Sequence, residues 1–330
     1  MFQPKVVIVS NSLDAHADDV ELELNHRDCE VFRINTDRFS SDHVQFIFET
    51  DSEDSSIIIG GKMCQISDIM SVWYRRPGLL ETSVFDPYQK AFAEKELDEL
   101  LKQFYFLRNQ ILWVSRIEAL EAARRKLPQL LMAKKLGMLT PRTLVSNSPA
   151  AVKLFFTECS GEVIYKTLHS LVIRLGEETE LWGIPTTILT SEHIAAFDLI
   201  DKTGGIFQEY VRKEYEIRVT IIGDDIFAAK INSQEVDSAK IDWREAVALG
   251  KVRVEPYVLP QKISDQCKLL VKSYGLSFGA IDMIRAISGD YVFLELNCNG
   301  QWLWVEEQTK QPMLDSMIKL LTMKIPKERG

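Results

Sequence analysis

The sequence predicts a mixed α/β and α+β protein, with a parallel sheet at its N-terminus and antiparallel sheets further on. Three observations carry this. "KVVIVSN" is a short apolar strand, and "HADDVELELNHRDCEVFRIN" (His16–Asn35) continues as helix and strand. A βαβ opening of this kind calls for a parallel sheet. Two later pairs of apolar runs are joined by short turn signals, around Gly223-Asp224-Asp225 and at Ser288-Gly289. These predict hairpins. The length of 330 residues and a hydrophobic content of 46% suit two or three domains with real cores.

The elements follow in order. "SIIIGGKMCQI" places Gly60-Gly61 between two apolar runs and predicts a hairpin, and "IMSVWYRRP" is a strand ending at Pro77. Asp86 to Arg108 predicts a helix, with Phe92, Leu97, Leu100, Leu101 and Phe104 at helical spacing. A new segment begins at Trp113, and a helix over Ile117 to Leu136 ends at Gly137. "GEVIYKTL", "GIFQEYV" and "YEIRVTIIGDDIFAAKINS" are strands, and "DQCKLLVKSYGLS" is a helix ending near Gly275. "FGAIDMIRAISGDYVFLELN" is a hairpin, and a helix with a charged tail closes the chain. The expected units are 1–115, 116–205 and 206–330.

Bulk properties exclude several classes. The net charge of −9 argues against a nucleic-acid binder. Five scattered cysteines without a C-x-x-C pair point to a reduced compartment without a structural zinc site. No signal segment or membrane-length apolar run is present, so a cytoplasmic protein without membrane partners is expected. The glycine-rich nucleotide motifs are missing, and no Ser/His/Asp or Cys/His set stands out.

The strongest local signal is "VFLELNCNGQW" (Val292–Trp302). Glu295, Asn297 and Asn299 recur at every second position, on one face of a strand. With Ser288-Gly289 as a two-residue loop, cross-strand pairing sets Asp282 opposite Glu295. Facing carboxylates repel unless a cation stands between them. Asp282, Glu295 and Asn297 make an oxygen set suited to Mg²⁺; the alternative is a solvated face with Lys or Arg neighbours. Lys166, in "VIYKTL", aims at solvent or at a phosphate. In "EIRVTIIG", Glu216 and Arg218 share a face opposite Ile217 and Val219. Glu216 there suits ribose hydroxyls and Arg218 a phosphate or carboxylate; an internal Glu216–Arg218 ion pair is the alternative. Arg75 and Arg76 in "WYRRP" and Arg244 in "DWR" stand beside aromatics, as bidentate anion binders or surface ion pairs. "DAHADD" (Asp14–Asp19) resembles a metal cluster, but its place between strand and helix favours N-capping.

Taken in order, Lys126, Lys166, the hinge "QEYV", Asp282, Glu295 and Asn297 resemble an ATP-grasp ligase. The stretches "DAHADDVELEL", "FRINTDRF", "VWYRRP", "KLPQLLMAKKLGMLTPRTLVSN", "FQEYV", "EIRVTIIG", "INSQ", "DWR" and "LELNCNGQW" are similar, over nearly the whole chain, to the microviridin-type peptide maturases, the graspetide macrocyclases. One departure is visible: Cys298 stands where that family has proline between two asparagines. The resemblance implies an ATP-grasp fold with an N-terminal pre-ATP-grasp domain, a central lid and a C-terminal Mg-ATP domain. It implies that Lys126 and Lys166 contact phosphates and that Gln208, Glu209, Tyr210 and Val211 line adenine. It also implies that Asp282, Glu295 and Asn297 hold Mg²⁺, and that arginines hold the substrate carboxylate. The reaction it implies activates Asp or Glu side chains of a ribosomal precursor peptide as acyl phosphates. Ser, Thr or Lys then closes an ester or amide ring. The partner is the precursor with its leader, and a homodimer is expected. A ligase forming a linear amide and a silent nucleotide-binding regulator remain as alternatives.

Overall fold

The computed structural model describes residues 3–50, 55–84, 86–107, 111–168, 173–174, 181–182, 186–195 and 197–323. The predicted charged tail from 324 onward lies outside them. The N-terminal part is built on β1 (Lys5–Ser10), α1 (Ala15–His26) and β2 (Glu30–Asn35). Residues 6 to 9 of β1 are all buried valine and isoleucine, as a parallel strand covered on both faces requires. A small antiparallel sheet of β3 (Gln45–Ile47), β4 (Ser56–Ile59) and β5 (Lys62–Gln65) follows. Its β4–β5 turn is Gly60-Gly61, both at positive φ, as the sequence predicts. After β6 (Ile69–Tyr74), α2 (Pro87–Phe106) and β7 (Leu112–Val114), the parallel sheet is complete in the order β2-β1-β6-β7. Asp86 caps α2 through the amides of Tyr88 and Gln89. The buried stripe of α2 is narrower than predicted: Leu101, Phe104 and Tyr105 are buried, while Phe92 is exposed.

The helix expected over Ile117 to Leu136 is two helices, α3 (Ile117–Ala123) and α4 (Lys126–Lys135). Pro128 explains the break. It lacks an N–H and its ring clashes with the carbonyl four residues earlier, so it is tolerated only in a first turn. Beyond it, a second sheet has the order β12-β9-β13-β8. It contains β8 (Thr143–Ser146), β9 (Val163–Lys166), β12 (Thr187–Ile188) and β13 (Gly205–Glu209), with α5 (Pro149–Glu158) between β8 and β9. A two-residue ribbon, β10 (Ile173–Arg174) with β11 (Leu181–Trp182), and α6 (Ser191–Ala195) belong to the same stretch. β13 therefore pairs with the central strands, although the sequence division at 205 assigns it to the third unit.

The C-terminal sheet is antiparallel, in the order β16-β15-β14-β17-β18. Its strands are β14 (Lys213–Ile222), β15 (Asp225–Ile231), β16 (Val254–Pro256), β17 (Phe278–Ala286) and β18 (Tyr291–Asn297), with α7 (Arg244–Ala248) before β16. Ile217, Val219 and Ile221 belong to a core shared with Cys267, Leu270 and Val271 of α8 (Gln261–Ser273). A second core holds Phe278, Ala280 and Trp302 together with α9 (Leu303–Thr309) and α10 (Met313–Leu321). It extends into Val6, Ile8, Ala17 and Trp73 of the N-terminal part, so the two sheets share one apolar mass.

The β17–β18 hairpin departs from the predicted register. Ala286 N–H donates to Asp290, so the loop has three residues, with Gly289 at φ 89°. Met283 pairs with Phe293, and a bulge at Leu294 then brings Asp282 opposite Glu295. The expected carboxylate pairing is reached through two compensating one-residue departures.

Candidate active site

Asp282 and Glu295 face each other across β17 and β18, and Asn297 lies two residues further on. The charges between and around them are fixed by neighbouring elements. Arg218 of β14 pairs with Asp282 and donates from Nη1 to Oδ1 at 2.6 Å. Arg244 opens α7; its Nη2 is 2.9 Å from Glu295 Oε1 and 3.5 Å from Asp282 Oδ2, while Nη1 holds Asp242 at 3.1 Å. Lys126, the first residue of α4, sets Nζ 3.5 Å from Glu295 Oε2.

These charges divide the two carboxyl groups. Burial pushes Asp282 up, and the Glu295 charge adds to it against Arg218 and Arg244. Burial also pushes on Glu295, but Arg244, Lys126 and Lys166 outweigh it and hold the group down at about 2. Two carboxylates and a carboxamide form a hard, all-oxygen donor set that fits Mg²⁺. The Asn297 Nδ2 lies 3.4 Å from Asp282 and 3.3 Å from Glu295; turned over, its oxygen becomes the third donor.

Lys166 ends β9 and donates to Gln208 Oε1 at 2.8 Å, and Gln208 Nε2 donates to Thr143 at 3.0 Å. Burial lowers the Lys166 pKa to about 8. Lys126, Leu130, Thr143, Lys166, Gln208 and Glu295 line one cleft between the central and C-terminal sheets. Of the hinge residues, Gln208 lines this cleft. Glu209 and Tyr210 are tied by their amides to Arg142 and Glu162, and Val211 packs on Ile284 and Val292.

Glu216 and Arg218 are both buried, but not paired with each other as the ion-pair alternative expects. Glu216 pairs with Lys213 and accepts from Ser233 at 3.2 Å; burial pushes its carboxyl up against both. Arg75 is 1% exposed and spends its Nη1 on backbone carbonyls, so it is not an open anion fork. Arg76 is exposed beside it. Asp14 caps α1 by accepting from His16 N–H at 3.2 Å, as predicted, and it also faces Arg75.

Sequence reasoning missed Gln129. Its buried carboxamide donates to Leu296 O and accepts from Leu296 N–H, both at 2.8 Å, holding the residue between Glu295 and Asn297. The available signal was a polar residue on the buried stripe of α4, beside Leu130 and Ala133.

A family profile described as the MvdD pre-ATP grasp domain matches residues 5–121. The chain is 31% identical to macrocyclase MdnC from Microcystis aeruginosa MRC, solved with precursor peptide MdnA. The match has a TM-score of 0.84 and covers 96% of this chain and 98% of that one. It is 26% identical to a RiPP-associated ATP-grasp ligase of Chryseobacterium gregarium, solved with ADP and a leader and core peptide. That TM-score is 0.89, with 98% of each chain covered. Macrocyclase MdnB from Microcystis aeruginosa MRC is 25% identical, with a TM-score of 0.79 over 97% of this chain and 99% of that one. Among curated proteins, none matches.

Proposed function

The chain belongs to the graspetide ligases, the ATP-grasp macrocyclases of ribosomal peptide maturation, and from that premise we propose that it closes side-chain rings in a ribosomal precursor peptide. The observation that carries this is the facing pair Asp282 and Glu295, with Asn297 beside it and arginines and lysines converging on it. Mg²⁺ held by Asp282, Glu295 and Asn297 would offset the charge of ATP phosphates. Lys126 and Lys166 bind those phosphates from the central side. Gln208, Glu209, Tyr210 and Val211 form the adenine hinge, and Glu216 stands for the ribose hydroxyls.

Arg218, Arg244 and exposed Arg76 hold the Asp or Glu side chain of the peptide and the acyl phosphate formed on it. No protein nucleophile is needed: a Ser, Thr or Lys side chain of the peptide attacks the acyl carbon, gives up a proton and expels inorganic phosphate, and positioning with charge neutralisation supplies the rate. Residues 1–115, 116–205 and 206–330 act as pre-ATP-grasp domain, lid and Mg-ATP domain, with β13 joining the lid sheet. The precursor binds through a leader segment away from the metal, and the enzyme works as a homodimer.

The test is reconstitution with ATP, Mg²⁺ and a precursor peptide carrying leader and core, read by mass spectrometry. Loss of one water per ring is expected. A mass gain from a joined amino acid means linear ligation instead, and an unchanged peptide with no ADP formed overturns the ligase reading for that peptide class.

A further inference from the structure

The loop that follows the carboxylate strand is held by the N-terminal sheet. Arg75, just beyond the end of β6, donates from Nη1 to the carbonyls of Asn299 at 2.6 Å and Gly300 at 3.0 Å. The next carbonyl, of Gln301, accepts from Arg218 Nη2 at 3.0 Å, the guanidinium that also holds Asp282. The next two amides, of Trp302 and Leu303, donate to His16 Nε2 at 2.9 and 3.2 Å. Five consecutive residues thus each give one backbone group to a side chain from another element.

The donors and acceptors on the N-terminal side are themselves organised. An imidazole that accepts at Nε2 is neutral and carries its proton on Nδ1. That Nδ1 faces Asp14 Oδ1 at 3.6 Å. Asp14 Oδ2 accepts from Ser10 at 2.6 Å and lies 3.3 Å from Arg75 Nε. One buried carboxylate therefore lies against both the histidine and the arginine, by charge and proximity and without a formal hydrogen bond to either side chain. β18 ends at Asn297, so Asn299 to Leu303 have no sheet partner to satisfy them. Gly300 leaves no slack: a Cβ there would lie 2.4 Å from Ala280 and 3.0 Å from Arg218 Nη2.

We propose that Asp14, His16 and Arg75 are positioning residues, a clamp through which the N-terminal part sets the segment 299–303, the loop after β18 together with the first residue of α9, and, through it, Asn297 and Arg218 at the carboxylate pair. The functional part of this rests on the nucleotide reading of that pair. The structural part is independent of it.

The test compares His16→Leu, which removes the acceptor at similar volume, with His16→Gln, which returns an acceptor oxygen near Nε2. Three quantities are read: amide exchange of Trp302 and Leu303, affinity for Mg·ADP, and ring formation. Supporting groups around metal sites are worth about 10–100-fold in affinity or activity. His16→Leu should speed exchange and lower both Mg·ADP affinity and kcat by about tenfold or more, with KM for the precursor unchanged within about twofold. His16→Gln should restore all three. Wild-type exchange rates in His16→Leu overturn the clamp, as does a Gln variant as impaired as the Leu variant. Should His16→Leu fail to fold, His16→Gln alone decides: near wild-type exchange and Mg·ADP affinity sustain the clamp, and their loss overturns it. A wild-type enzyme that forms no ring sinks the macrocyclase reading, and the exchange measurement still decides the clamp.

Discussion

Gly300→Ala tests how tightly the site is packed, and its cost can be worked from distances. The added methyl would sit 2.4 Å from Ala280 Cβ, 3.0 Å from Arg218 Nη2 and 3.3 Å from Asn297 Cβ. Carbon atoms in contact prefer about 3.5–4.0 Å, so the first overlap exceeds 1 Å. Neither partner can yield: Ala280 is fully buried in β17, and the Gly300 carbonyl is held by Arg75. Overpacking of this kind costs about 1–3 kcal/mol, and the loop must move. The second contact makes the effect functional as well, because the displaced atom belongs to the guanidinium that holds Asp282.

The informative experiment is a double-mutant cycle with Ala280→Gly, which removes the worst contact. Ala280→Gly alone should cost about 0.5–1 kcal/mol as a glycine in a strand. If the overlap dominates, the double variant should be more stable than the two separate losses predict, with a coupling of about 1 kcal/mol or more. Urea denaturation midpoints read the stability, and single-turnover ring formation reads the site. Stability should return in the double variant while ring formation stays reduced, since the 3.0 Å contact with Arg218 persists. Gly300→Ala within about 0.5 kcal/mol of wild type, or strictly additive losses, would refute the reasoning.

Asp282→Asn keeps the shape of the strand but removes one charge of the pair. It should abolish ring formation and weaken the Mg²⁺ dependence of ADP binding by about 10–100-fold, while far-ultraviolet circular dichroism stays unchanged. Arg218→Lys should lose ring formation by about tenfold or more with leader-peptide binding intact, because an ammonium cannot span Asp282 and the Gln301 carbonyl together; near-full activity contradicts the role. Lys166 predicts a proton linkage: its pKa in the free protein is about 8, and phosphates would raise it. Nucleotide binding should then take up close to one proton at about pH 9 and about a tenth of one at pH 7, and affinity should fall as pH rises through 8; calorimetry in buffers of different ionisation enthalpy measures this, and zero uptake at pH 9 removes the phosphate role.

Some of the site was legible because the relevant physics is local. Strand alternation separates Ile217 and Val219 from Glu216 and Arg218 using adjacent residues alone, and Gly60-Gly61 specifies its own turn. The partners of these side chains were not legible. Glu216 meets Lys213 three residues earlier on β14, where the register shifts between Lys213 and Tyr215, and Arg218 meets Asp282 64 residues away, because β14 pairs with β17. Phe92 was misassigned for a related reason: helical spacing identifies a stripe, but only the neighbouring element fixes how much of it is covered.

The carboxylate pair shows why a correct pairing can follow from incorrect geometry. A two-residue loop and an unbroken ladder set Asp282 opposite Glu295; a three-residue loop and a bulge at Leu294 do the same. Sequence arithmetic sees only the sum of the two departures. The bulge is nonetheless where the site is made. Beyond it, Leu296 on the edge strand β18 offers its backbone to Gln129 from α4, and Glu295 faces Lys126 at the start of the same helix. Asp14, His16 and Arg75 were hidden more deeply, since His16 and Arg75 act on backbone groups more than 220 residues away and Asp14 acts only through them. Backbone groups carry no sequence signature. A buried Asp, His and Arg at the C-terminal edge of a parallel sheet, where open sheets place their crevices, was the available hint. In this fold that edge is filled by the chain's own loop, which ties the N-terminal sheet to the carboxylate strand.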